Sequence, residues 1–321
     1  MQTNQLVKFA YRDLHLNQVL VHQELEIGTH QGTHLSLGSL EIPDREIRFV
    51  RTSGNELHLG WQDSQGQPQV ASMIVDRELR TIVDAIHYGY SRRVFEQQLA
   101  EAAERGLGHQ CRDSVCPFCQ AKTLTLDSYP WSPQVYCRFC DSIHTTVAVD
   151  GIGQTEKDYR ICPKCHMYSR PRRFTIGYFW FVWFHAQVNH RVILCCNDCM
   201  RPEAWKMTMG NLPGVLGMPL ALTQLSRVYR DAIKKGPFQG LDKGNRLLKR
   251  GEVEKALEHY SIIVEKHPFS AGVLYNVARG LLARGDQIHA EETLVLALQN
   301  CVNYQPAERL LAELRAEMEV T

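Results

Sequence analysis

The chain has 321 residues, a formal net charge of +1 from 36 basic and 35 acidic side chains, and 44% apolar and 22% charged residues. That length fits two or three soluble domains. The balanced charge excludes the global basic field that holds nucleic acid. No stretch has the roughly 18 uninterrupted apolar residues of a membrane-spanning helix, and Met1 to Gln5 lack a basic-then-apolar leader pattern, so the expectation is a cytoplasmic chain.

Residues 1–105 read as a β-rich domain. Short alternating runs occur at Leu6–Tyr11, Val19–His22, Leu25–Ile27, His34–Leu37, Ser39–Ile42, Ile47–Val50, Glu56–Leu59 and Val70–Val75. Gly28, Gly32, Pro43-Asp44, Ser53-Gly54-Asn55 and Gln65-Gly66 punctuate them. Period-two alternation between turn signals predicts about seven antiparallel strands with one wet face. Asp76 then reads as a helix N-cap, with a helical stripe at Leu79, Ile82, Val83, Ile86, Tyr90, Val94, Phe95 and Leu99. In element order this part resembles the pleckstrin-homology-like barrel. The resemblance implies a small closed barrel plugged by the helix, and a lipid- or peptide-binding module. Histidines are frequent here, and His30 and His34 flank a turn at a spacing that could bind metal.

The strongest signal follows. Four Cys-x-x-Cys pairs occupy the middle of the chain: Cys116/Cys119, Cys137/Cys140, Cys162/Cys165 and Cys196/Cys199. Thiolates are soft, tight zinc ligands, and eight of them fit two tetrahedral four-cysteine sites. Seventeen residues separate the first two pairs and thirty the last two. Pairing in sequence order makes zinc ribbon 1 over 106–155 and zinc ribbon 2, with an aromatic insert, over 156–205. A crossed pairing, first with third and second with fourth, would make a RING-like brace instead. Both leading pairs carry Pro after the first Cys and both trailing pairs lack it, which suggests one unit used twice. Cys195 adjoins Cys196 and competes with it as ligand, while the spacing to Cys199 favours Cys196. Cys111, His144 and His166 lie near the pairs and read as bystanders. Four protein ligands leave no open position, so both Zn²⁺ ions are expected to be structural. Rubredoxin-like iron accepts the same thiolates, and a dithiol redox pair uses the same spacing.

The insert reads Arg170-Pro171-Arg172-Arg173 and then Phe174 to Phe184, rich in Phe, Tyr and Trp. Residues 206–238 form an apolar bridge and an amphipathic helix: Met207 to Leu225 carries no charge, and Leu222, Leu225, Val228, Tyr229 and Ile233 then alternate with Arg227, Arg230, Lys234 and Lys235. Both stretches are apolar with basic flanks, so 174–184 and 207–235 are the candidates for peripheral membrane contact. Their competing readings are packing within the chain and a surface for a protein partner.

Residues 239–321 repeat. Gly244, Gly251, Ala256 and Tyr260 align with Ala278, Gly285, Ala290 and Leu294 at an offset of thirty-four residues. That period and its small residues resemble the tetratricopeptide family. The resemblance implies paired helices, with Gly251 and Gly285 at the turns, and a protein partner. Pro306 starts a last helix through Leu310, Leu311 and Leu314. Cys301 reads as a buried apolar residue.

The expected whole is a multidomain α+β chain: an N-terminal small β-barrel with a closing helix, two zinc ribbons and a C-terminal α-helical repeat. No Gly-rich phosphate loop, Ser/His/Asp arrangement or His-Glu-x-x-His occurs, so the expectation is not an enzyme but a zinc-stabilised scaffold or adaptor binding protein partners. The alternatives are a nucleic-acid-associated zinc-ribbon factor and a redox protein.

Overall fold

A computed structural model describes residues 7–14, 26–30, 34–37, 40–53, 56–75, 79–126, 132–145, 156, 158–182, 185–212, 217–230 and 238–320. The chain divides into two compact units, Met1–Leu126 and Asp127–Thr321.

The first unit is built on a seven-stranded antiparallel sheet. Its strands are β1 (Val7–Leu14), β2 (Glu26–His30), β3 (His34–Leu37), β4 (Leu40–Pro43), β5 (Ile47–Ser53), β6 (Glu56–Gln62) and β7 (Pro68–Val75). Their order is β4-β3-β2-β1-β7-β6-β5. β1 is the seam, pairing with β2 over Val7–Tyr11 and with β7 over Tyr11–Leu14. The expected closed barrel is not found. β4 and β5 end the order and do not pair with each other among the described residues. The short turn Asp44–Glu46 joins them in sequence without a ladder between them. The run expected at Val19–His22 and the cap expected at Asp76 lie outside the described residues.

Helix α1 (Leu79–Glu104) follows. Its buried Leu79, Ile82 and Ile86 join Leu35, Ile42, Ile47, Leu57, Leu59, Trp61, Met73 and Val75 in one apolar core. Alternation explains the pattern: Leu57, Leu59 and Trp61 sit two apart on one face of β6. The far end of the predicted helical stripe differs, since Leu99 is exposed. Gly89 marks a close approach, because a Cβ there would collide with the Asp44 carboxylate. Tyr90 OH donates to the Arg48 carbonyl at 2.6 Å and pins the helix to β5. The unit ends in a hairpin, β8 (Cys111–Val115) and β9 (Lys122–Leu126). It is tied to α1 by the Lys122 amide donating to Ser91 Oγ at 2.8 Å and by Lys122 Nζ lying 4.0 Å from the Phe95 ring centre.

The second unit opens with two short hairpins, β10 (Gln134–Cys137) with β11 (Ser142–Thr145), and β12 (Arg160–Ile161) with β13 (Tyr168–Ser169). A long two-stranded hairpin comes next, β14 (Arg172–Val182) with β15 (His185–Cys195), in register from Arg172↔Cys195 to Val182↔His185. Helices α2 (Asn197–Gly210) and α3 (Met218–Tyr229) pack on its base. Phe174 and Ile176 are buried with Met200, Ala204, Met207, Ala221 and Val228. The start of the aromatic run is therefore core. The side chains of 179–184 lie outside the described set, as do residues 213–216 and 231–237 of the apolar bridge.

Five helices complete the chain: α4 (Leu241–Lys249), α5 (Val253–Lys266), α6 (Ala271–Arg284), α7 (Gln287–Asn300) and α8 (Gln305–Val320). α5 and α7 begin thirty-four residues apart. Gly251 and Gly285, at φ +78° and +83°, occupy left-handed turns between paired helices, a conformation that favours glycine. Ala256 and Ala290, and Tyr260 and Leu294, are fully buried at equivalent positions.

Candidate metal centres

Every cysteine pair sits where a strand ends. Cys116 and Cys119 form the β8–β9 turn, Cys137 and Cys140 the β10–β11 turn, and Cys162 and Cys165 the β12–β13 turn. In each, the residue after the second cysteine is left-handed: Gln120 at φ +60°, Asp141 at +56° and His166 at +55°. Such a conformation is uncommon for residues with a side chain and persists only where surroundings enforce it. Here it closes the turn. The Gln120 amide donates to the Cys116 carbonyl at 2.9 Å, and the His166 amide to the Cys162 carbonyl at 2.8 Å.

The fourth pair differs from the other trailing pair. β15 delivers Cys195 and Cys196 directly into α2, so Cys199 lies in the first helical turn. The expected identity of the two ribbon units therefore holds for three turns and fails at the fourth. The amides at a helix start point outward and favour a negatively charged group there. The Cys196 amide lies 3.3 Å from Cys162 Sγ and donates to it.

The sulfurs gather in sequence order. Cys116, Cys119, Cys137 and Cys140 form one group, and Cys162, Cys165, Cys196 and Cys199 the other. Within each group the ligand atoms lie within 4.8 Å of one another. The crossed RING-like pairing is not the arrangement. Cys196 joins the second group and Cys195 does not; burial pushes the Cys195 thiol up to about 12. In the second group Cys162 and Cys199 sulfurs are 4.0 Å apart, and Cys165 and Cys196 sulfurs 3.8 Å apart. A tetrahedron with metal–sulfur bonds of about 2.3 Å has edges of about 3.8 Å. Both groups of side chains thus have the chemistry to hold a metal ion, and two sulfur–sulfur separations of the second match such edges. Neither His144 nor His166 belongs to either group, and His34 joins none among the described residues. The His30 side chain lies outside the described set. Cys301 is buried, and Cys111 is partly buried outside the groups.

The surroundings of the second group were not visible in the cysteine spacing. Lys249, in the last turn of α4, places Nζ 3.2 Å from Cys199 Sγ, 3.6 Å from Cys196 Sγ and 3.1 Å from Asp198 Oδ2. Burial lowers the affinity of this amine for its proton, but the charges of Cys196, Cys165, Asp198 and Cys199 outweigh that and push it upward. Lys249 is therefore a fixed cation. Arg246 completes the arrangement, with Nε 3.0 Å from Asp198 Oδ1. These basic residues complement the carbonyl end of α4 as well.

The helices also grip the backbone leaving the third cysteine turn. The Tyr168 amide donates to Asn276 Oδ1 at 2.8 Å. Its carbonyl accepts from Asn276 Nδ2 at 2.8 Å and Asn245 Nδ2 at 2.9 Å. Tyr260 OH donates to Asn245 Oδ1 at 2.7 Å and orients that amide. Arg279 Nη1 donates to the His166 carbonyl at 2.7 Å. Gly272 admits the Tyr168 ring, since a Cβ there would come within 2.5 Å of it. A second polar cluster lies deeper. The Glu156 carboxyl accepts from Gln134 Nε2 at 2.9 Å and from Ser270 Oγ at 3.0 Å. Gln134 Oε1 accepts the Ala271 amide at 3.0 Å, capping the start of α6. Burial pushes Glu156 up to about 8.

Fold and site together define a mixed α+β chain with two four-cysteine groups able to bind metal and a C-terminal helical region packed on the second of them. No protein-family model and no curated protein matches the sequence. No helix among the described residues is long and apolar enough to cross a membrane.

Proposed function

We propose that the chain is a non-enzymatic scaffold stapled by two structural zinc ions, whose helical region serves a protein partner. The supporting observation is the saturation of the cysteine groups: four thiols converge in each, and the spacing in the second matches a tetrahedral shell with no position for water or substrate. The charged side chains nearest that group, Lys249, Arg246 and Asp198, pair with one another and with the sulfurs. Within this reading the three left-handed cysteine turns are zinc-ribbon turns, and α4–α7 are tetratricopeptide-like pairs. The inner residues Asn245 and Asn276 already hold a backbone segment of the chain itself. A partner would accordingly meet the outer helices α5 and α7 or the last helix α8.

Elemental analysis of the purified full chain tests the metal. Two zinc ions per chain, a colourless protein, and protection of the eight ligand thiols from alkylation that chelation abolishes are expected. Red, iron-containing protein would instead assign electron transfer. Metal-free protein with all thiols reactive would remove the basis of the proposal.

A further inference from the structure

Helices α2 and α3 form an antiparallel pair. The Asn197 side chain near the start of α2 donates to the Arg230 carbonyl after the end of α3 at 3.2 Å, and Trp205 Nε1 donates to Tyr229 OH at 2.8 Å. One face of the pair packs on the β14–β15 hairpin through Met200, Ala204, Met207, Ala221 and Val228. The outer side of α2 and the adjoining flank of α3 carry large apolar side chains in water. Trp205 is 43% exposed, Met209 55%, Leu212 56%, Leu222 51% and Tyr229 51%. Residues 205 and 209 lie one turn apart on α2, and 222 and 229 two turns apart on α3, so each pair shares a helix face. The Trp205–Tyr229 hydrogen bond joins the two faces into one surface.

Among the described residues the exposed charges beside this surface are basic: Lys206 and Arg230. Arg227 is exposed too but lies over the Phe174 ring, 5.6 Å from its centre, on the hairpin side. The acids of these helices are turned to other partners: Asp198 pairs with Arg246 and Lys249, and Glu203 lies 3.3 Å from Lys164 Nζ. Arg201 spreads over the Tyr229 ring, 5.0 Å from its centre. Tryptophan and tyrosine favour the boundary between hydrocarbon and headgroups, and lysine and arginine favour anionic headgroups.

We propose that the outer face of α2 and α3 docks on the surface of an anionic lipid bilayer, with Trp205, Met209, Leu212, Leu222 and Tyr229 entering the headgroup boundary and Lys206 and Arg230 meeting lipid phosphates. The exposed cations beside the face, Lys206 and Arg230, select this occupant. A second copy of the chain would set like charges against one another. The apolar side chains are carried on the outsides of two helices, a shape that a fluid bilayer accepts without a matching cavity. The proposal is independent of which metal fills the cysteine groups and goes beyond the scaffold reading.

Flotation of the full-length protein with phosphatidylcholine vesicles, with and without one-third phosphatidylserine, tests it. Binding is expected to the anionic vesicles alone and to weaken with added salt. Two double variants, Trp205→Ser with Leu222→Ser and Lys206→Glu with Arg230→Glu, should each lower partitioning about tenfold or more. Ile288→Ser, at an exposed residue of α7, should leave it unchanged. Bound-metal content and circular dichroism establish that each variant is folded; a variant that misfolds is replaced by Lys206→Glu, which buries nothing. Absence of binding to anionic vesicles overturns the proposal, as does equal binding by all variants. Concentration-dependent dimers abolished by Trp205→Ser with Leu222→Ser would assign the face to self-association and overturn it too.

Discussion

The seven-stranded sheet of the first unit and the cysteine-bearing hairpins of the second solve the same problem differently: the sheet by its own apolar core, the hairpins by borrowing one from the helices and adding buried polar groups. In the sheet, strands of up to eight residues alternate, and α1 covers an uninterrupted apolar core. In the hairpins, β12 and β13 have two residues each. Tyr136, Ile143, Met167 and Tyr168 enter an apolar core that the helices supply, and buried polar groups fix them there: Asn245 and Asn276 on the Tyr168 backbone, Gln134 and Ser270 on Glu156, and thiols on one another. Hydrocarbon burial is tolerant of small changes in shape, whereas a buried polar pair loses its whole desolvation cost when one member goes. The difference teaches where the chain is robust and where it is brittle.

Metal removal should show this most strongly. A structural four-thiolate zinc site contributes about 10 kcal/mol or more to folding. Chelation, or Cys162→Ser with Cys196→Ser, should abolish hydrogen-exchange protection across 158–169 and 196–210 while β5–β7 remain protected. Leu57→Ala is the mirror experiment. It should cost about 2–5 kcal/mol in the sheet and leave the metal content unchanged. Loss of protection in both regions together on chelation would sink the contrast.

Asn276→Ala comes next. It strips the Tyr168 amide of its acceptor and its carbonyl of one donor. Each buried group left unsatisfied costs about 1–3 kcal/mol. Thermal unfolding of the metal-loaded protein should record a corresponding loss. Asn276→Asp, which keeps the acceptor for the amide but faces the carbonyl with an oxygen, should recover little of it. A surface substitution such as Glu254→Ala should be silent in the same assay.

The same polar burial predicts a pH dependence with a definite sign. Glu156 is raised by burial from 4.5 to about 8. The folded state therefore keeps a proton that the unfolded chain gives up above pH 4.5. Its stabilising contribution is complete below pH 4.5 and is lost as pH rises toward 8. The loss is at most about 5 kcal/mol. Zinc binding to the thiols strengthens as pH rises, so the contribution of Glu156 is read as a difference in urea titrations: the native chain should lose stability relative to Glu156→Gln, which has no proton to lose, across this range. An unchanged slope in the variant would assign the dependence to another group.

Much of this architecture was legible in the sequence, for reasons that vary by element. Two-residue alternation located most strands of the first unit, because one face is core and the other wet. The Cys-x-x-Cys spacing located all eight sulfurs, because a short turn is the local geometry that brings two thiols to one ion. The thirty-four-residue offset located the helix pairs, because Gly251 and Gly285 must take left-handed backbone. Closure of the sheet was not legible, since it depends on whether β4 meets β5 and neither sequence states its neighbour. Nor was the helical end of the second group, because Cys196-Asn197-Asp198-Cys199 carries the same spacing as a turn. The grip of Asn245 and Asn276 on Tyr168 was hidden for a different reason. An asparagine on a helix gives no local sign of a partner 77 or 108 residues away.

Lys249 supplies the smallest and most local way to sharpen the comparison. Four thiolates around a divalent ion leave two excess negative charges. A buried excess charge needs compensation, and Lys249 Nζ sits 3.2 Å and 3.6 Å from two of the four sulfurs. Donors outside the ligand shell commonly account for about 10–100-fold in metal affinity. Lys249→Met keeps the stem but removes the charge, so it should accelerate zinc transfer to a chromogenic chelator by a factor in that range. Lys249→Arg should restore most of the retention. The effect should be confined to one of the two ions and give biphasic release, since the contacts of Lys249 lie with Cys196 and Cys199. Release that stays unchanged would make Lys249 merely a partner of Asp198. If the ammonium acts on the sulfurs, charge reversal at Asp198 will not reproduce the effect of Lys249→Met, because Asp198→Lys leaves the ammonium near the thiolates and adds a second cation.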